Sequence, residues 1–411
     1  MTNYYRIPCV YGASKSTSTN GTEYTAGFTS DGLILTATEA NAQVKHNIAS
    51  KFKNLRVYIS ANSAGTTSTI KLRVNGADGG NSVSITAGAT GWFEDTTNTD
   101  TTASGDKINF AIVKTDANNI TIKTIAVDVL ATTPYQKGGY TNGGNNLSAA
   151  STTTYIGIGS TAFSTTEGLT HKRRIRSSCS GKNLQVYISA NARSTTTTVK
   201  SRLNGADGGQ SISITAGATG WFEDTTNTDT LVDGDDFNAS ITTGTGSGTL
   251  TLQHTSCDIV GTTSTSIATG NAGGTQSTNT TRYLYPTGGM AGTIESTEAN
   301  AQLKLRGTGT IQKMAVGSGT NGSNQTTTYT ARKNSTDQSP TVSIAATTTG
   351  FSVDDSNSFT YADGDLVAVK GVRASGGSGT ILVDWIAFEL IPDVEVISSG
   401  STFQPQIHMV M

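Results

Sequence analysis

The sequence predicts an all-β protein built from tandem antiparallel β-sandwich domains. Apolar residues alternate with polar ones over short runs, as at Leu55, Val57 and Ile59, which is the pattern of half-buried strands. Hydrophobic residues make up 34% of the chain and charged residues 14%, with 47 glycines and 6 prolines. This composition, rich in Thr and Ser, favours strands and turns over helices and differs from the charged or proline-rich composition of disordered chains.

Internal repetition gives the number of domains. The segment SVSITAGATGWFEDTTNTDT at residues 82–101 recurs almost unchanged at residues 211–230, and a diverged third copy occupies residues 341–360. Residues 54–62 recur at 183–191 with the same spacing of 129 residues. A repeat of this length is too long for a solenoid unit and suits one self-sufficient sandwich. We therefore predict three domains in a chain of 411 residues.

The repeat spacing also sets the expected boundaries. Repeat one is predicted to span residues 1–132, repeat two residues 133–262 and repeat three residues 263–391, with a C-terminal arm at 392–411. Residues 134–146 are either a linker or the opening strand of repeat two, and the Ser/Thr/Gly-rich residues 263–280 lead into repeat three. The arm belongs to no repeat, and we predict that residues 394–410 add a strand to a neighbouring sheet.

Repeat one contains about eight strands by pattern. One or two precede Leu55, and the parity of alternation flips between residues 120 and 129, which predicts a bulge or kink. The predicted segments are 24–28, 42–48, 55–59, 70–74, 83–85, 92–93, 108–112 and 120–129. Eight short antiparallel strands in this length predict a jelly roll or a related two-sheet sandwich. An immunoglobulin-like sandwich is the alternative, although its Cys–Trp–Cys signature is absent.

Charge and apolar patterning exclude several classes of partner. The formal net charge of −2 argues against nucleic acid, because phosphate binding needs a basic face. No run of about 18 apolar residues is present, so no membrane span is expected. The first residues, MTNYYRIPC, lack the pattern of a secretory signal. Three cysteines, at 9, 179 and 257, occupy unrelated repeat positions and are expected to be reduced, inert thiols.

One candidate binding site is an aromatic and acidic loop that occurs twice. Such a loop could form an aromatic platform for a sugar or a partner protein. The alternative is that the tryptophan plugs one end of the sandwich, and the phenylalanine at position 351 of the third copy favours such a packing role. The residues are Trp92, Phe93, Glu94 and Asp95 in repeat one, and Trp221, Phe222, Glu223 and Asp224 in repeat two.

The acidic residues of these loops, with Asp100 and Asp229, could also hold Ca²⁺. Their spacing is not that of a known calcium loop, and Asp and Asn in such loops commonly cap turns. We therefore predict no metal site and no cofactor. The Gly-rich residues 75–80 join two strands and open no helix, so a hairpin turn is predicted in place of a phosphate-binding loop.

One basic run, HKRRIR at residues 171–176, is predicted to be a strand with an exposed charged face, and the alternative is an interface with an acidic partner or nucleic acid. The candidate interface residues are Arg173, Arg174 and Arg176 of this run, and Phe403 and Ile407 of the arm. The four histidines lie at unmatched repeat positions, and neither metal-ligand spacing nor a Ser-His-Asp arrangement is evident. No catalytic residue is predicted, and the chain is not expected to be an enzyme.

The end of each repeat resembles the end of tumour-necrosis-factor and C1q-type jelly rolls. Repeat three shows this best, with Gly364-Asp365, the strand Leu366–Val369, the turn Gly376–Gly379 and a final strand from Ile381 to Leu390. The whole chain, with its tandem Thr/Asn/Gly-rich β domains, also resembles virion structural proteins of tailed bacteriophages. These resemblances imply jelly-roll domains, assembly around a threefold axis and a place in the virion.

Two functions follow as expectations. The first is a non-enzymatic virion structural protein, a capsid decoration or accessory protein that binds the particle surface through its repeats and arm. Its expected partners are other capsid or tail proteins, with self-association or an internal pseudo-trimer of the three repeats. The alternative is a tail-fibre or lectin-like protein that binds host glycans. A bacterial adhesin is a third hypothesis, and the missing export signal counts against it.

Overall fold

The protein is all-β, as the sequence predicts. The structure, a computed structural model, describes residues 2–26, 35–158, 163–276, 281–286 and 294–397. Within this part of the chain the only helices are three 3-10 turns, Glu39–Asn41, Leu169–His171 and Glu298–Ala301. None of the helices in these residues could cross a membrane, since each has only three or four residues.

Repeat one consists of nine strands. They are β1 (Thr2–Thr17), β2 (Gly21–Ala26), β3 (Val44–His46), β4 (Ser50–Asn62), β5 (Ser68–Val74), β6 (Ala77–Ile85), β7 (Gly91–Thr102), β8 (Asp106–Lys114) and β9 (Ile120–Ala131). One sheet has the order β1-β9-β4-β7 and the other β2-β8-β5-β6, with the short β3 also paired to β8. All of these pairings are antiparallel. Two sheets with these strand orders form a jelly roll, in which the chain repeatedly crosses from one sheet to the other.

Repeat two has the same arrangement. Its strands are β10 (Tyr135–Leu147), β11 (Thr153–Ile156), β12 (Phe163–Ser164), β13 (Arg173–Arg174), β14 (Cys179–Asn191), β15 (Thr197–Leu203), β16 (Ala206–Ile214), β17 (Gly220–Leu231), β18 (Asp236–Thr243) and β19 (Leu250–Gly261). The sheets are β10-β19-β14-β17 and β12-β11-β18-β15-β16, with β13 paired to β18.

Repeat three is the third copy of this fold. Its strands are β20 (Thr265–Gln276), β21 (Arg282–Leu284), β22 (Leu303–Lys304), β23 (Gly309–Ser318), β24 (Thr320–Asn321), β25 (Thr327–Lys333), β26 (Thr336–Ile344), β27 (Gly350–Tyr361), β28 (Leu366–Arg373) and β29 (Ile381–Pro392). The sheets are β20-β29-β23-β27 and β21-β28-β25-β26, with β24 paired to β29 and β22 to β28. The immunoglobulin-like alternative is therefore wrong for all three repeats.

The last described strand, β30 (Val394–Ile397), lies in the predicted arm. It pairs antiparallel with residues 2–5 of β1 and so adds a fifth strand to a sheet of repeat one. The arm was predicted to add a strand to a neighbour, and for these four residues that neighbour is the first repeat of the same chain. The candidate interface residues Phe403 and Ile407 lie outside the described residues.

Each sandwich has an apolar core between its two sheets, and these cores extend across the contacts between repeats, since Ile7 and Ala126 join the core of repeat three and Tyr135 that of repeat one. In repeat one, side chains alternate along β4, so that Leu55, Val57 and Ile59 point inward and are fully buried. The register between β4 and β9 shifts at three places between residues 53 and 61 of β4, which lie opposite residues 121–128 of β9. This confirms the irregularity predicted from the change in parity. Similar cores fill repeats two and three.

Two-residue turns set the register of the hairpin in the middle of each repeat. Between β5 and β6, Asn75 and Gly76 have φ angles of 52° and 81°, the left-handed region that a tight hairpin requires and that Asn and Gly tolerate best. Residues 204–205 and 334–335 repeat this conformation. The Gly-rich segment is therefore a hairpin, as predicted.

Candidate functional site: the contacts between repeats

The aromatic and acidic loop of repeat one is part of strand β7, where alternation sends neighbouring side chains to opposite faces. In the register of β4 and β7, Trp92 lies opposite Tyr58 and Glu94 lies opposite Arg56. These four residues lie on the face of the sheet directed away from the core. Trp92 is half-buried against the Tyr58 ring, with centroids 5.3 Å apart. Phe93 packs against the core. The tryptophan therefore lies on the outer face of the sheet and not at the end of the sandwich.

Asp95 lies next to Glu94 but stabilises a turn. Its carboxylate accepts hydrogen bonds from the backbone amides of Ser82, Thr97 and Asn98 at 2.9–3.1 Å. Burial raises the pKa of Asp95, but these hydrogen bonds outweigh burial and hold the pKa below its usual range. Asp224 and Asp354 make the equivalent bonds in the other repeats.

Asp100 and Asp229 serve in the same way, because each accepts the amide of a glycine on the preceding strand at 2.5 Å. Among the described residues, no group of three or more His, Cys, Asp or Glu side chains is placed to hold a metal ion. These carboxylates thus bind backbone amides within their own repeat, as turn-capping residues do. Cys179 and Cys257 are free and buried, and burial raises the pKa of each thiol, to about 12 for Cys179.

Glu94 and Glu223 instead bind another repeat. Each carboxylate contacts side chains from one short stretch of another repeat, which we call the docking segment. The docking segments are residues 39–47 of repeat one, 168–176 of repeat two and 298–306 of repeat three. Each docking segment contacts what we call the docking face of another repeat. This is the outward face of β4, β7 and β9 in repeat one and of the equivalent strands in repeats two and three.

The docking segment of repeat three lies on the docking face of repeat one. Lys304 and Arg306 both form ion pairs with Glu94. The Arg56 guanidinium donates to the backbone carbonyl of Lys304 at 2.6 Å. Burial raises the pKa of Glu94, but the hydrogen bonds and positive charges of Lys304 and Arg306 outweigh burial and lower it.

Two further contacts lie beside this ion pair. Lys123 of repeat one pairs with Glu295 of repeat three at 2.6 Å, and both side chains are only 10% exposed. The Tyr285 hydroxyl donates to the carbonyl of Lys123 at 2.9 Å. Partly buried ion pairs of this kind are screened by salt much less than surface pairs.

The docking segment of repeat one lies on the docking face of repeat two in the same way. Lys45 pairs with Glu223 at 2.5 Å, and the Asn47 side-chain amide donates to the same carboxylate at 3.2 Å. His254 Nε2 is 2.7 Å from the carbonyl oxygen of Asn41, and because a carbonyl only accepts, Nε2 carries the proton. Burial lowers the pKa of His254 to about 4. The neutral imidazole stacks on Trp221 with a centroid distance of 5.9 Å.

The docking segment of repeat two lies on repeat three, where the chemistry differs. The position of Glu94 and Glu223 is taken by Val353, which is 47% exposed. Without a carboxylate there, the Arg174 guanidinium lies over the Phe351 ring at 4.3 Å, and Arg176 pairs with Asp355. The Trp385 indole donates to the carbonyls of Leu169 and Thr170 at 3.0 and 3.2 Å.

The predicted interface residues of the basic run thus have two different positions. Arg174 and Arg176 contact repeat three, so their partner belongs to the same chain. Arg173 is 1% exposed, donates to the side chain of Gln136 within repeat two, and burial lowers its pKa to about 10. Sequence reasoning missed Lys45, Lys304 and Arg306. They occupy the same repeat positions as Arg174 and Arg176, so an alignment of the three repeats could have found them.

The three contacts together form a closed ring, since repeat one docks on two, two on three and three on one. The chain itself connects repeats one to two and two to three. At the contact between repeats three and one, Glu395 of β30 pairs with Lys53 at 2.6 Å and with Arg6. Strand β30 therefore stabilises the contact between repeats three and one, which are not consecutive in the chain.

Asp384 precedes Trp385 at the contact between repeats two and three, and a hydrogen bond from the Gly319 amide offsets its burial only in part. It is fully buried next to Trp385 and accepts the Gly319 amide, and burial raises its pKa to about 6. The proton is therefore bound more tightly in the folded state, and stability is lost as the pH rises from about 4 to 6. We expect Asp384→Asn to raise the free energy of unfolding by about 1–2 kcal/mol at pH 7.5. Urea unfolding at pH 7.5 and 4.0 checks this, and an equal gain at both pH values would contradict it.

No family model matches the sequence, and no curated protein matches it. A solved structure described as "The Triple Jelly Roll Fold and Turret Assembly in an Archaeal Virus" matches at 12% identity, over 93% of this chain and 91% of that chain. The TM-score of this match is 0.18. The assignment of each repeat as a jelly roll rests on its own strand order.

Proposed function

We propose that this chain is a structural protein of a virion, an accessory or decoration protein of the capsid surface that works as an internal pseudo-trimer. The observation that supports this most is the closed ring of three jelly rolls. Closed rotational assemblies are built from head-to-tail contacts in which one surface patch meets a different patch on the next unit. Here one chain supplies all three units, so the ring has the outline of a trimer and needs no second copy.

The distribution of charge supports the same role. The ion pairs and capped turns described above use most of the acidic and basic side chains of the aromatic loops and of the basic run. On the sheets opposite the docking faces, the ion pairs Lys71–Asp78, Lys200–Asp207 and Arg332–Asp337 lie among threonines and serines, which suits a scaffold in contact with solvent. A pseudo-trimer could occupy a threefold position in a capsid lattice, where each repeat would meet a similar environment. The repeats differ at Glu94, Glu223 and Val353, so the ring also has a unique orientation.

The lectin-like alternative depended on Trp92 and Trp221 as exposed platforms. Trp221 is stacked on the buried His254 at a contact between repeats, and Trp92 lies beside the Glu94 ion pairs. Both tryptophans have an explanation in the ring itself, so they no longer favour glycan binding at these two loops.

We expect the isolated protein to be a monomer of 42.4 kDa and also to be a component of purified particles from its native source. Light scattering measures the first, and mass spectrometry with electron cryomicroscopy of gradient-purified particles measures the second. A threefold-shaped density at a symmetric capsid position is the expected result. A chain absent from the particles would overturn the proposal.

A variant tests whether incorporation into particles requires the closed ring. Glu94→Lys places like charges opposite Lys304 and Arg306, and we expect it to reduce incorporation into particles. Its matched control is Ser84→Lys, at an exposed position of β6 on the opposite sheet of the same repeat, which we expect to be incorporated normally. Equal incorporation of the Glu94→Lys variant would contradict a role for the closed ring.

A further inference from the structure

The sheet of repeat two opposite its docking face carries a polar groove, and none of the contacts between repeats in the described residues uses it. It has a volume of about 370 Å³ and is lined by strands β11, β15, β16 and β18, which lie on the sheet opposite the docking face. This volume falls within the range of small-molecule sites. The lining residues that the argument uses are Thr153, Tyr155, Lys200, Asp207, Ser240 and Thr242.

The floor of the groove is formed by Ser240, which is 4% exposed and lines the groove. Its hydroxyl can give one hydrogen bond and accept others from a molecule that enters the groove. At the rim, the hydroxyls of Thr153 and Thr242 lie 2.9 Å apart and offer further donors and acceptors.

The walls supply an aromatic ring and a neutral ion pair. The Arg202 guanidinium lies 5.2 Å from the centroid of Tyr155 and fixes that ring in place. Lys200 pairs with Asp207 at 2.7 Å while both side chains stay more than 40% exposed. Asp207 also pairs with Arg202, which pairs in turn with Glu167, so two cations and two carboxylates balance at the groove. This balance suits a neutral ligand with many hydroxyl groups better than an anion.

The equivalent surfaces of the other two repeats lack this floor. The strand register places Ser240 opposite Tyr155, Ala111 opposite Tyr24 and Lys370 opposite Tyr283. Thr242 is equivalent to Val113 and Val372. Each of the three lies opposite an equivalent threonine of the neighbouring strand in its sheet, which is Thr198, Thr69 or Thr328. In repeat three, Lys370 extends across the groove to Asp337. The hydroxyl floor thus distinguishes repeat two from its sister repeats on the same fold.

We propose that this groove of repeat two binds a neutral saccharide. Sugar hydroxyls would exchange hydrogen bonds with Ser240, Thr242 and the Lys200–Asp207 pair, and an apolar face of a sugar ring would contact Tyr155. The proposal concerns repeat two alone and is independent of a place in the virion. It moves the candidate glycan site from the tryptophan loops to the opposite sheet.

The test uses the full chain and a printed array of neutral and acidic oligosaccharides, followed by calorimetric titration of the best neutral ligand. The key variant, Ser240→Lys with Thr242→Val, installs the residues of repeat three at the same positions, where the fold already accommodates them. We expect it to weaken binding roughly tenfold or more, since at least two hydrogen bonds are lost. Tyr155→Ala should weaken binding similarly, and Tyr24→Ala in repeat one should leave it unchanged.

Each other outcome would overturn the proposal. If the wild-type chain binds no neutral oligosaccharide, or if the double variant binds as well as wild type, the groove is not the site. A preference for acidic oligosaccharides that inorganic sulfate abolishes would show an anion site instead. Circular dichroism and the melting temperature confirm that each variant is folded before its binding is compared.

Discussion

Replacing Trp385 with alanine is expected to lower the free energy of unfolding by about 3–5 kcal/mol, the usual cost of deleting a buried Trp or Phe side chain. Trp385 is fully buried, and it packs with Ala315, Ala387 and the half-buried Phe351. Alanine would leave a cavity between repeats two and three. It would also leave the carbonyls of Leu169 and Thr170 without the indole donor.

Calorimetry is the appropriate measurement, because a chain of three domains need not unfold in a single two-state transition. We expect the transition that includes repeats two and three to shift to lower temperature. Trp92→Ala is the matched control, since Trp92 lies half-buried on the docking face of repeat one, and its loss should cost about 1–2 kcal/mol. Equal effects of the two substitutions would show that Trp385 does not hold the contact.

A second variant separates packing from hydrogen bonding. Trp385→His introduces the residue that repeat two carries at the equivalent position, His254, whose Nε2 donates to the Asn41 carbonyl. The imidazole is smaller than the indole but keeps a ring donor. We therefore expect a loss smaller than that of Trp385→Ala.

Repetition in the sequence predicted the domain plan because a duplicated domain keeps its turns. The Asn75-Gly76 hairpin and the segment around Asp95 recur at fixed spacing, and each has a local physical cause in the left-handed backbone or the capped turn. Alternation predicted the inward residues of the central strands. These features depend on neighbours close in the chain, and a single sequence contains them.

The long opening strand β1 was not predicted. Its residues 9–17, CVYGASKST, have no sustained alternation of apolar and polar side chains. The opening strands β10 and β20 are rich in Gly, Asn and Thr, and their pairing with β19 and β29 involves register shifts. Their place in the sheet comes from partners more than 100 residues away, which the local pattern does not reveal.

At the candidate site, Glu94 and Asp95 show again that the local sequence pattern does not reveal contacts with distant parts of the chain. They are adjacent and equally acidic, and the sequence grouped them as one candidate. Strand alternation sends Glu94 toward repeat three and Asp95 into a turn of its own repeat, so only Glu94 meets partners about 210 residues further along the chain. The outward direction of Glu94 follows from its place between Phe93 and Asp95, but its partners follow only from the closure of the ring.

Replacing Arg56 with methionine is expected to cost about 3–5 kcal/mol, the range found when one partner of a buried ion pair is removed. Arg56 has no exposed surface and pairs with Asp128 at 2.7 Å, and the side chain of Asp128 is 1% exposed. Of its side-chain partners in the described part of the chain, Asp128 would keep Asn54 and the more distant Arg6, at 2.7 and 3.4 Å. Urea unfolding of the full chain measures the loss.

A double-mutant cycle isolates the pair from the rest of the site. Asp128→Asn in the Arg56→Met background removes the uncompensated charge, so we expect the double variant to recover much of the lost stability. Arg6→Met is the matched control and should cost less, because the side chain of Arg6 is 16% exposed and lies farther from Asp128. A cost below about 1 kcal/mol for Arg56→Met would contradict this account of the pair.

Arg56→Met also tests whether the stability of repeat one is coupled to that of the docking segment of repeat three. Arg56 belongs to repeat one, yet its guanidinium also donates to the Lys304 carbonyl in the docking segment of repeat three. Its loss should therefore speed hydrogen exchange in residues 298–306 as well as within repeat one, because local opening follows the contacts that hold a segment. Exchange confined to repeat one would show that the ion pair stabilises its own sandwich and leaves the closing contact intact.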